Sequence, residues 1–415
     1  MTIHPMISAL RRHKASVVFI VLQIALTLAI VCNAMFIISQ RIQRVNRSTG
    51  VNAQDLYLVT QQWVDAPTGD DAASIQKLDA MQLEDLAALR ALPDVASVSP
   101  VNGLPLYGTT LGSIALVPDS SMMSNAIRST YYFGDDHFLP TLGLHLLAGR
   151  DFNAGDVGNK GAGNHTQAAT AMVNKTLADR LFPEGDAVGK IVYLNGRSTP
   201  TTIIGVIENL RPTSDGMDMP FDRDSVVEPM RLDGVFSHYA VRAKPGRLLA
   251  AMHATAPALY KVDSLRVLDD DSVKSFADIR NEAHHADVGM AALMGVISLI
   301  LLAVTAAGIV GLTSFWVDQR QRQIGIRRAL GARKVDIIRY FQMENLLIAG
   351  FGVVLGMLLA IGLNLLLMTR YAIAHMPMAY VLAGTALVLL LGQCAVFAPA
   401  RRASNVPPVA ATRSV

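Results

Sequence analysis

Four runs of this chain are both long and uncharged, and that combination leaves few folds open. They are Ser16–Ile38, Gly289–Val317, Asn345–Met368 and Met376–Ala400. A helix needs about 20 apolar residues to cross the hydrocarbon core of a bilayer, and all four runs exceed that. Buried helices of soluble proteins are seldom so long and so uniformly apolar. The runs also explain the composition. Of 415 residues, 51% are hydrophobic and 17% charged, against about 25% charged in an ordinary soluble domain. The first run has a longer apolar core than the roughly 7–15 residues of a cleaved signal peptide, and no A-x-A site ends it. It reads as a retained signal anchor.

Arginine and lysine near the span ends set the orientation. Arg11, Arg12 and Lys14 precede the first span; the 318–344 loop carries Arg320, Arg322, Arg327, Arg328, Arg333, Lys334 and Arg339; Arg401, Arg402 and Arg413 follow the fourth. The 369–375 loop has only Arg370. Arg41, Arg44 and Arg47 oppose this pattern, but the count favours both termini and the 318–344 loop inside. Residues 40–287 then lie outside. They hold 22 Lys+Arg against 30 Asp+Glu, a net of −8, while the rest of the chain has 14 basic and 3 acidic residues.

The outer segment is long enough for one or two compact lobes. Met81–Ala91 has helical spacing with Leu83, Leu86, Leu89 and Ala87 on one face, and Pro93-Asp94 ends it. Val95, Val98 and Val101 suggest a strand, and Ala171–Leu181 a strand running into a helix. Lys190–Leu194 and Thr201–Ile207 read as a strand pair turning at Asn195-Gly196. The Gly-, Asn- and His-rich residues 153–166 read as a loop. Strands and helices alternate without a βαβ rhythm, so the expected class is α+β. Asp269–Asp287, polar and free of Pro and Gly, predicts a stalk helix feeding into the second span. The outer domain then covers 39–268 and the stalk 269–288, with short inner segments at 1–15 and 401–415.

Several chemistries are weighed and set aside. The phosphate-binding pattern G-x-x-x-x-G-K-[ST] is absent. Gly185, Gly189 and Lys190 approach it, but the glycines are one residue too close and Ile191 stands at the hydroxyl position. This chain is not expected to hydrolyse ATP by itself. Asp269, Asp270 and Asp271 read as a solvated helix start. His284 and His285 are adjacent, point apart on a helix and do not make a metal site together. Cys32 and Cys394 both fall in spans and read as small apolar packing residues. Asn46-Arg47-Ser48 fits a glycosylation acceptor, a pattern common by chance. No Ser/His/Asp or Cys/His arrangement stands out. Charge is missing from the middle of every span, which disfavours a proton relay or charged ion path built from these helices. Ala303, Ala307 and Gly311 recur at helical spacing on the second span, as do Gly352 and Gly356 on the third; such rows let helices approach closely.

The 320–341 stretch, RQRQIGIRRALGARKVDIIRYF, holds six arginines, one lysine and Asp336. Helical spacing carries the second span through to Leu330, placing Arg327 and Arg328 where positive charge suits the helix dipole. Gly331 supplies a left-handed stop. A second helix begins near Arg333, with Ile337, Tyr340 and Phe341 as its apolar stripe, and Glu344 leads into the third span. Nucleic acid is a poor partner, since stacking aromatics and a separate binding fold are missing. Retention at a membrane surface would need the charge but not the I-G-I and A-L-G-A detail. A protein partner accounts for both.

This stretch, continued by QMENLL, resembles the signature of the FtsX-like, or MacB-like, permease family of ABC transporters. The family pattern is R-x-x-E-I-G-I-R-R-A-L-G-A followed by I-x-x-x-F-x-x-E. Gln323 stands where glutamate is usual. MISALRRHK (6–14), FLPTLGLHLLAGRDF (138–152), AMVNKTLADRLFPEGDAVGKIVYLNG (171–196), IIGVIENL (203–210) and PARRASNVPPVAATR (399–413) are similar to other family segments, in order. The resemblance implies a bacterial inner-membrane permease with its outer domain in the periplasm. It implies a separate ATP-binding subunit that holds ATP and Mg, with no cofactor in this chain. Residues Gln323, Ile324, Gly325, Ile326, Arg327 and Arg328, with Leu330, Gly331, Arg333, Ile337, Phe341 and Glu344, would form the coupling region, and the inner helix around Arg333–Glu344 would be the coupling helix resting on that subunit. It further implies a homodimer, or a heterodimer with a second permease, contact with lipid, and a periplasmic adaptor as a further candidate. ATP-driven movement of the outer domain, for export or extraction of a substrate, is the expected function. Control of an extracytoplasmic hydrolase or sensor is the alternative.

Overall fold

The computed structural model describes residues 14–69, 71–108, 114–117, 127–161, 167–194, 199–212, 223–371 and 374–405. The segment 6–13, the turn Asn195-Gly196, residues 162–166 and the tail beyond 405 lie outside the described residues. The chain divides into two compact units, Met1–Asn46 with Ala286–Val415, and Arg47–His285.

After helix α1 (Lys14–Asn46) the outer unit opens with β1 (Leu56–Trp63), α2 (Ala72–Arg90) and β2 (Val95–Val101). Then come β3 (Gly103–Leu104), β4 (Tyr107–Gly108), β5 (Ile114–Val117), β6 (Ile127–Gly134), α3 (Phe138–Leu142), β7 (Leu146–Gly149) and β8 (Gly158–Gly161). They are followed by β9 (Thr170–Asn174), α4 (Lys175–Leu181), β10 (Ile191–Leu194), β11 (Pro200–Ile207), β12 (Ser225–Asp233) and β13 (Phe236–Ala243). The unit continues with α5 (Leu248–Val262), β14 (Arg266–Val267) and β15 (Val273–Ser275).

One sheet has the order β14-β1-β13-β2, with β15 also on β1. Successive side chains of a strand point to opposite faces, and β1 uses both. Tyr57 and Val59 join Leu86, Leu89, Tyr239, Ala251 and Leu259 under the helices. Leu56 and Leu58 join Val101, Tyr132, Phe138 and Phe276 on the other side. The second sheet is mixed, in the order β10-β5-β6-β12-β9-β11-β7. Its β10 also pairs with β11, so that path closes on itself. Closure leaves fewer strand edges exposed.

Three local expectations change. The helix read over 81–91 is the second half of α2, which begins beside its N-cap Asp71. Its inner face carries Gln82, Asp85, Leu86 and Leu89, while Leu83 is exposed. A buried acid on that face has a partner from a distant strand, which spacing alone does not disclose. Within the 153–166 loop, β8 is a strand paired in parallel with β12. The stalk helix begins at Phe276, because Val273–Ser275 pairs with β1 first and Asp269–Ser272 forms a turn. The three adjacent acids therefore precede a strand, and Asp278 takes the first helical turn.

The other unit contains α1, most of α6 (Phe276–Gln319), α7 (Gln321–Ala329), α8 (Lys334–Tyr371) and α9 (Met378–Ser404). The four long helices have the length and apolar character to cross a membrane, and the α+β unit is inserted between the first and second. In lipid there is little hydrophobic drive between helices, so close packing and polar contacts hold them. A Cβ at Gly352 would lie 2.7 Å from Ile24, and one at Gly356 2.9 Å from Leu28, so both glycines seat α8 on α1. Gly384 of α9 does the same against Cys32, at 2.4 Å. Thr27 and Thr305 share a hydroxyl hydrogen bond of 2.8 Å between α1 and α6. Asn33 donates to the carbonyl of Ala360 on α8 at 3.1 Å.

The row Ala303, Ala307 and Gly311 does not pack against the described residues of this chain. All three are exposed, and a Cβ at Gly311 would meet nothing within 4 Å. The inward face of α6 is Thr305, Ile309, Thr313 and Trp316. That face is offset by two residues, or roughly 200° at 3.6 residues per turn.

Candidate functional site

The second and third spanning helices join through an elbow. α6 ends at Gln319, and Arg320 breaks the helix with φ −107° and ψ 11°. Its N–H donates to Trp316 and Val317 carbonyls at 3.1 and 3.2 Å. The helix therefore does not run unbroken to Leu330, as the sequence suggests. α7 is a separate short helix.

Arg320 Nη1 donates to both carboxylate oxygens of Glu344, at 3.0 and 2.9 Å. Glu344 is almost fully buried and Arg320 mostly so. The guanidinium also sits over the Trp316 ring, 5.6 Å from its centre. Seven residues on, Arg327 lies over Tyr340 at 5.1 Å, and Tyr340 meets Phe341 edge to face at 5.6 Å. Ile324, Ile337 and Phe341 belong to one buried cluster with Trp316 and Ile348. Arg320, Gln323, Ile324, Arg327, Tyr340 and Phe341 line a small cleft between α7 and the start of α8.

Gly331 ends α7 as the sequence predicts, with φ +95°. Its N–H bonds to the Arg328 carbonyl at 3.1 Å, and Ala332 N–H to the Arg327 carbonyl at 3.0 Å. This pair of hydrogen bonds is the Schellman form of helix ending. Arg333 N–H donates to Asp336 at 3.0 Å, which caps α8. From there α8 runs unbroken to Tyr371, so the segment Arg333–Glu344 is the inner end of the third spanning helix. The free-standing short helix is α7. Arg328 donates to the Ser404 carbonyl, and Lys334 to Asn405 at 2.8 Å, which ties the elbow to the end of α9.

The proposed coupling residues thus fall into two sets. Ile324, Gly325, Ile337, Phe341 and Glu344 are buried, and Arg328 is half-buried. Gln323, Ile326, Arg327, Leu330, Gly331 and Arg333 are exposed. Ile326 and Leu330, four residues apart, are 46% and 83% exposed and form an apolar edge flanked by arginines. Arg320 escaped the sequence-based choice of site residues. The available signal was Glu344, an acid at the mouth of an apolar run, which needs a cationic partner.

Two family models match the chain. One is the MacB-like periplasmic core domain over residues 19–259, and the other the FtsX-like permease C-terminal region over residues 295–408. The chain is 28% identical over 341 residues to the pyoverdine export ATP-binding/permease protein PvdT of Pseudomonas savastanoi pv. phaseolicola, covering 80% of this chain and 48% of that protein. It is 27% identical over 427 residues to macrolide export ATP-binding/permease protein MacB 2 of Aeromonas hydrophila, covering 99% of this chain and 59% of that protein. The chain therefore spans about half the length of the curated relatives it matches. Against the periplasmic region of MacB from Actinobacillus actinomycetemcomitans the identity is 14%, the coverage 58% of this chain and 97% of that one, and the TM-score 0.34. With an α+β unit between its first two spanning helices, both family models in order and the G-I-R-R-A-L-G-A elbow in place, the chain belongs to the family of permeases with a MacB-like periplasmic core domain and an FtsX-like C-terminal region.

Proposed function

We propose that this chain is the permease component of an ABC-type exporter in a bacterial inner membrane, driven by a separate ATP-binding subunit. The observation that carries the reading is the anchored elbow. Arg320–Glu344 and the Schellman turn hold α7 in place, while Ile326 and Leu330 remain on its exposed edge. A docking helix needs such a build: fixed at its base and apolar at its tip. ATP and Mg belong to the partner subunit in this reading. Closure of that subunit pushes on α7, and α6 and α8, its two neighbours in sequence, carry the displacement.

The export sense is supported by the two relatives, which are named as pyoverdine and macrolide export proteins. The exposed row Ala303, Ala307 and Gly311 suits a second permease copy, identical or related. A periplasmic adaptor would engage the outer unit. Control of an extracytoplasmic hydrolase or sensor by the same movement is the second reading, and the lack of charge in the middle of the spans fits both.

The test is co-purification of the ATP-binding subunit with the permease and with Ile326→Asp and Leu330→Asp variants. Loss of the subunit from both, with unchanged melting temperature, is expected. Retention by both would refute the docking assignment. Topology is checked by a reporter active only outside the cytoplasm, expected to work near residue 200 and to be silent near residue 335.

A further inference from the structure

Outside residues 40–287 the whole chain has three acids, Asp318, Asp336 and Glu344. Each is engaged at the elbow. Asp318 accepts from the Gln321 amide at 3.1 Å, Asp336 caps α8 through the Arg333 N–H, and Glu344 receives Arg320. The 320–341 stretch alone carries six arginines and a lysine. Arg327 is one of the uncompensated cations. It is exposed, its guanidinium lies over Tyr340 at 5.1 Å, and among the described residues it forms no ion pair.

Arg327 lines the cleft between α7 and α8 together with Arg320, Gln323 and Tyr340. The cleft has a volume of about 20 Å³, and its apolar wall is Ile324, Ile337 and Phe341. Two guanidinium groups, an amide and a phenol thus meet there, and no carboxylate is among these lining residues. Arg320 gives one guanidinium nitrogen to Glu344. Arg327 offers a ring its flat face, and the N–H donors of a guanidinium lie in its plane, so stacking leaves them available.

The walls of this cleft are fixed before anything binds. Glu344 holds Arg320, and the Gly331 and Ala332 N–H bonds to the Arg328 and Arg327 carbonyls set the turn between α7 and α8. Ile324, Ile337 and Phe341 belong to one buried cluster. A site ordered in advance loses less freedom on binding.

We propose that this cleft receives one carboxylate side chain, an aspartate or glutamate, from the ATP-binding subunit. Such a contact presupposes the docking of α7 proposed above, and it names the group that the subunit must bring. A carboxylate is planar and matches the guanidinium fork. A space of about 20 Å³ suits its two oxygens better than a phosphodiester with its ester arms. In the topology proposed above, residues 40–287 lie across the membrane from the elbow, so a second copy of this chain offers only the same three acids, each already engaged. Arg327 also directly follows Ile326 of the exposed Ile326–Leu330 edge. An acid here would therefore sit on the rim of an apolar contact, where charged groups of an interface belong.

The experiment measures binding of the purified ATP-binding subunit to the full chain in nanodiscs. Gln323→Glu puts a carboxylate of this chain into the cleft with little change in size. It should keep the wild-type melting temperature and weaken binding by about tenfold or more. Arg327→Gln should weaken binding to a similar degree. Because both act on one contact, Gln323→Glu should cost about threefold at most in the Arg327→Gln background. Wild-type binding by Gln323→Glu and by Arg327→Gln, with loss in Ile326→Asp and Leu330→Asp, overturns the carboxylate contact and leaves the docking of α7 standing. Retention by all four variants overturns both. The same chains are compared in phosphatidylcholine nanodiscs with and without phosphatidylglycerol, with retained lipid counted by native mass spectrometry. A phosphatidylglycerol preference that Gln323→Glu abolishes, with subunit binding unchanged, gives the cleft to a lipid headgroup and also overturns the proposal.

Discussion

Arg320, at the helix break, and Glu344, beyond the Schellman turn, lie 24 residues apart, yet one guanidinium nitrogen reaches both carboxylate oxygens at 3.0 and 2.9 Å. Breaking a buried pair leaves an uncompensated charge and costs about 3–5 kcal/mol. Partial exposure of Arg320 places this site at the lower end. Glu344→Ala should therefore lower the melting temperature of the purified permease and change the fluorescence of Trp316, which lies under the same guanidinium. Arg320→Lys should lose less, keeping the charge but not the fork. Melting and emission identical to wild type in Glu344→Ala would show the pair to be idle.

A second pair is buried in the outer unit. Arg266 and Asp85 are both fully inaccessible and 2.9 Å apart, with Gln61 and Tyr239 also bonded to Asp85. Asp85→Asn and Arg266→Met should each destabilise the unit by about 3–5 kcal/mol, while a double apolar replacement should cost less than the sum. Protease susceptibility of the full chain against denaturant reads this. Additive losses would mean that the two groups do not interact.

Asp233 gives a pH dependence. Burial, then repulsion from Asp79, raises its carboxyl to about 7, with Arg231 pulling the other way. The unfolded carboxyl titrates near 3.9, so between roughly pH 4 and 7 the folded state holds the extra proton. Stability from this group is full at about pH 4 and falls as pH rises towards 7, by at most about 4 kcal/mol. Asp233→Asn should flatten that fall and leave the variant more stable than wild type at pH 8. A wild-type melting curve that rises through this window relative to the variant would contradict the assignment.

Glycines on two helices should separate packing within a chain from packing between chains. Gly356→Val puts methyl groups against Leu28 and the Ala25 backbone, 2.9 and 3.0 Å from the new Cβ, and should reduce folded yield. Gly311→Val meets nothing within 4 Å and should leave the monomer intact. If α6 presents this row to a second permease, crosslinking between copies should drop in Gly311→Val alone. Equal folding losses in both variants would contradict the structure.

How much of this was legible beforehand depends on the range of the interaction. Gly331 was readable because a left-handed residue after a helical, dipole-matched run is a local requirement. The hairpin partners β10 and β11 were readable from alternation and spacing. Helical spacing puts Leu83 on the inner face because Asp85 looks like a surface residue until Arg266 is beside it, and the structure turns Asp85 inward and Leu83 outward. The stalk helix starts later than the sequence suggests because a polar, glycine-free run suits either a helix start or a short strand, and pairing with β1 selects the strand.

The sequence by itself determined four spanning helices, an α+β unit between the first two and the helix stop at Gly331. Apolar length and backbone sterics act over a few turns, so they are written in consecutive residues. The tertiary structure decided which charges meet and which helix faces remain outward. Arg320 finds Glu344 across 24 residues and Arg266 finds Asp85 across 181. The face of α6 that turns inward is Thr305 and Ile309 rather than Ala303 and Ala307. Those outcomes depend on which surfaces compete for the same partner in space, and no local pattern carries that information.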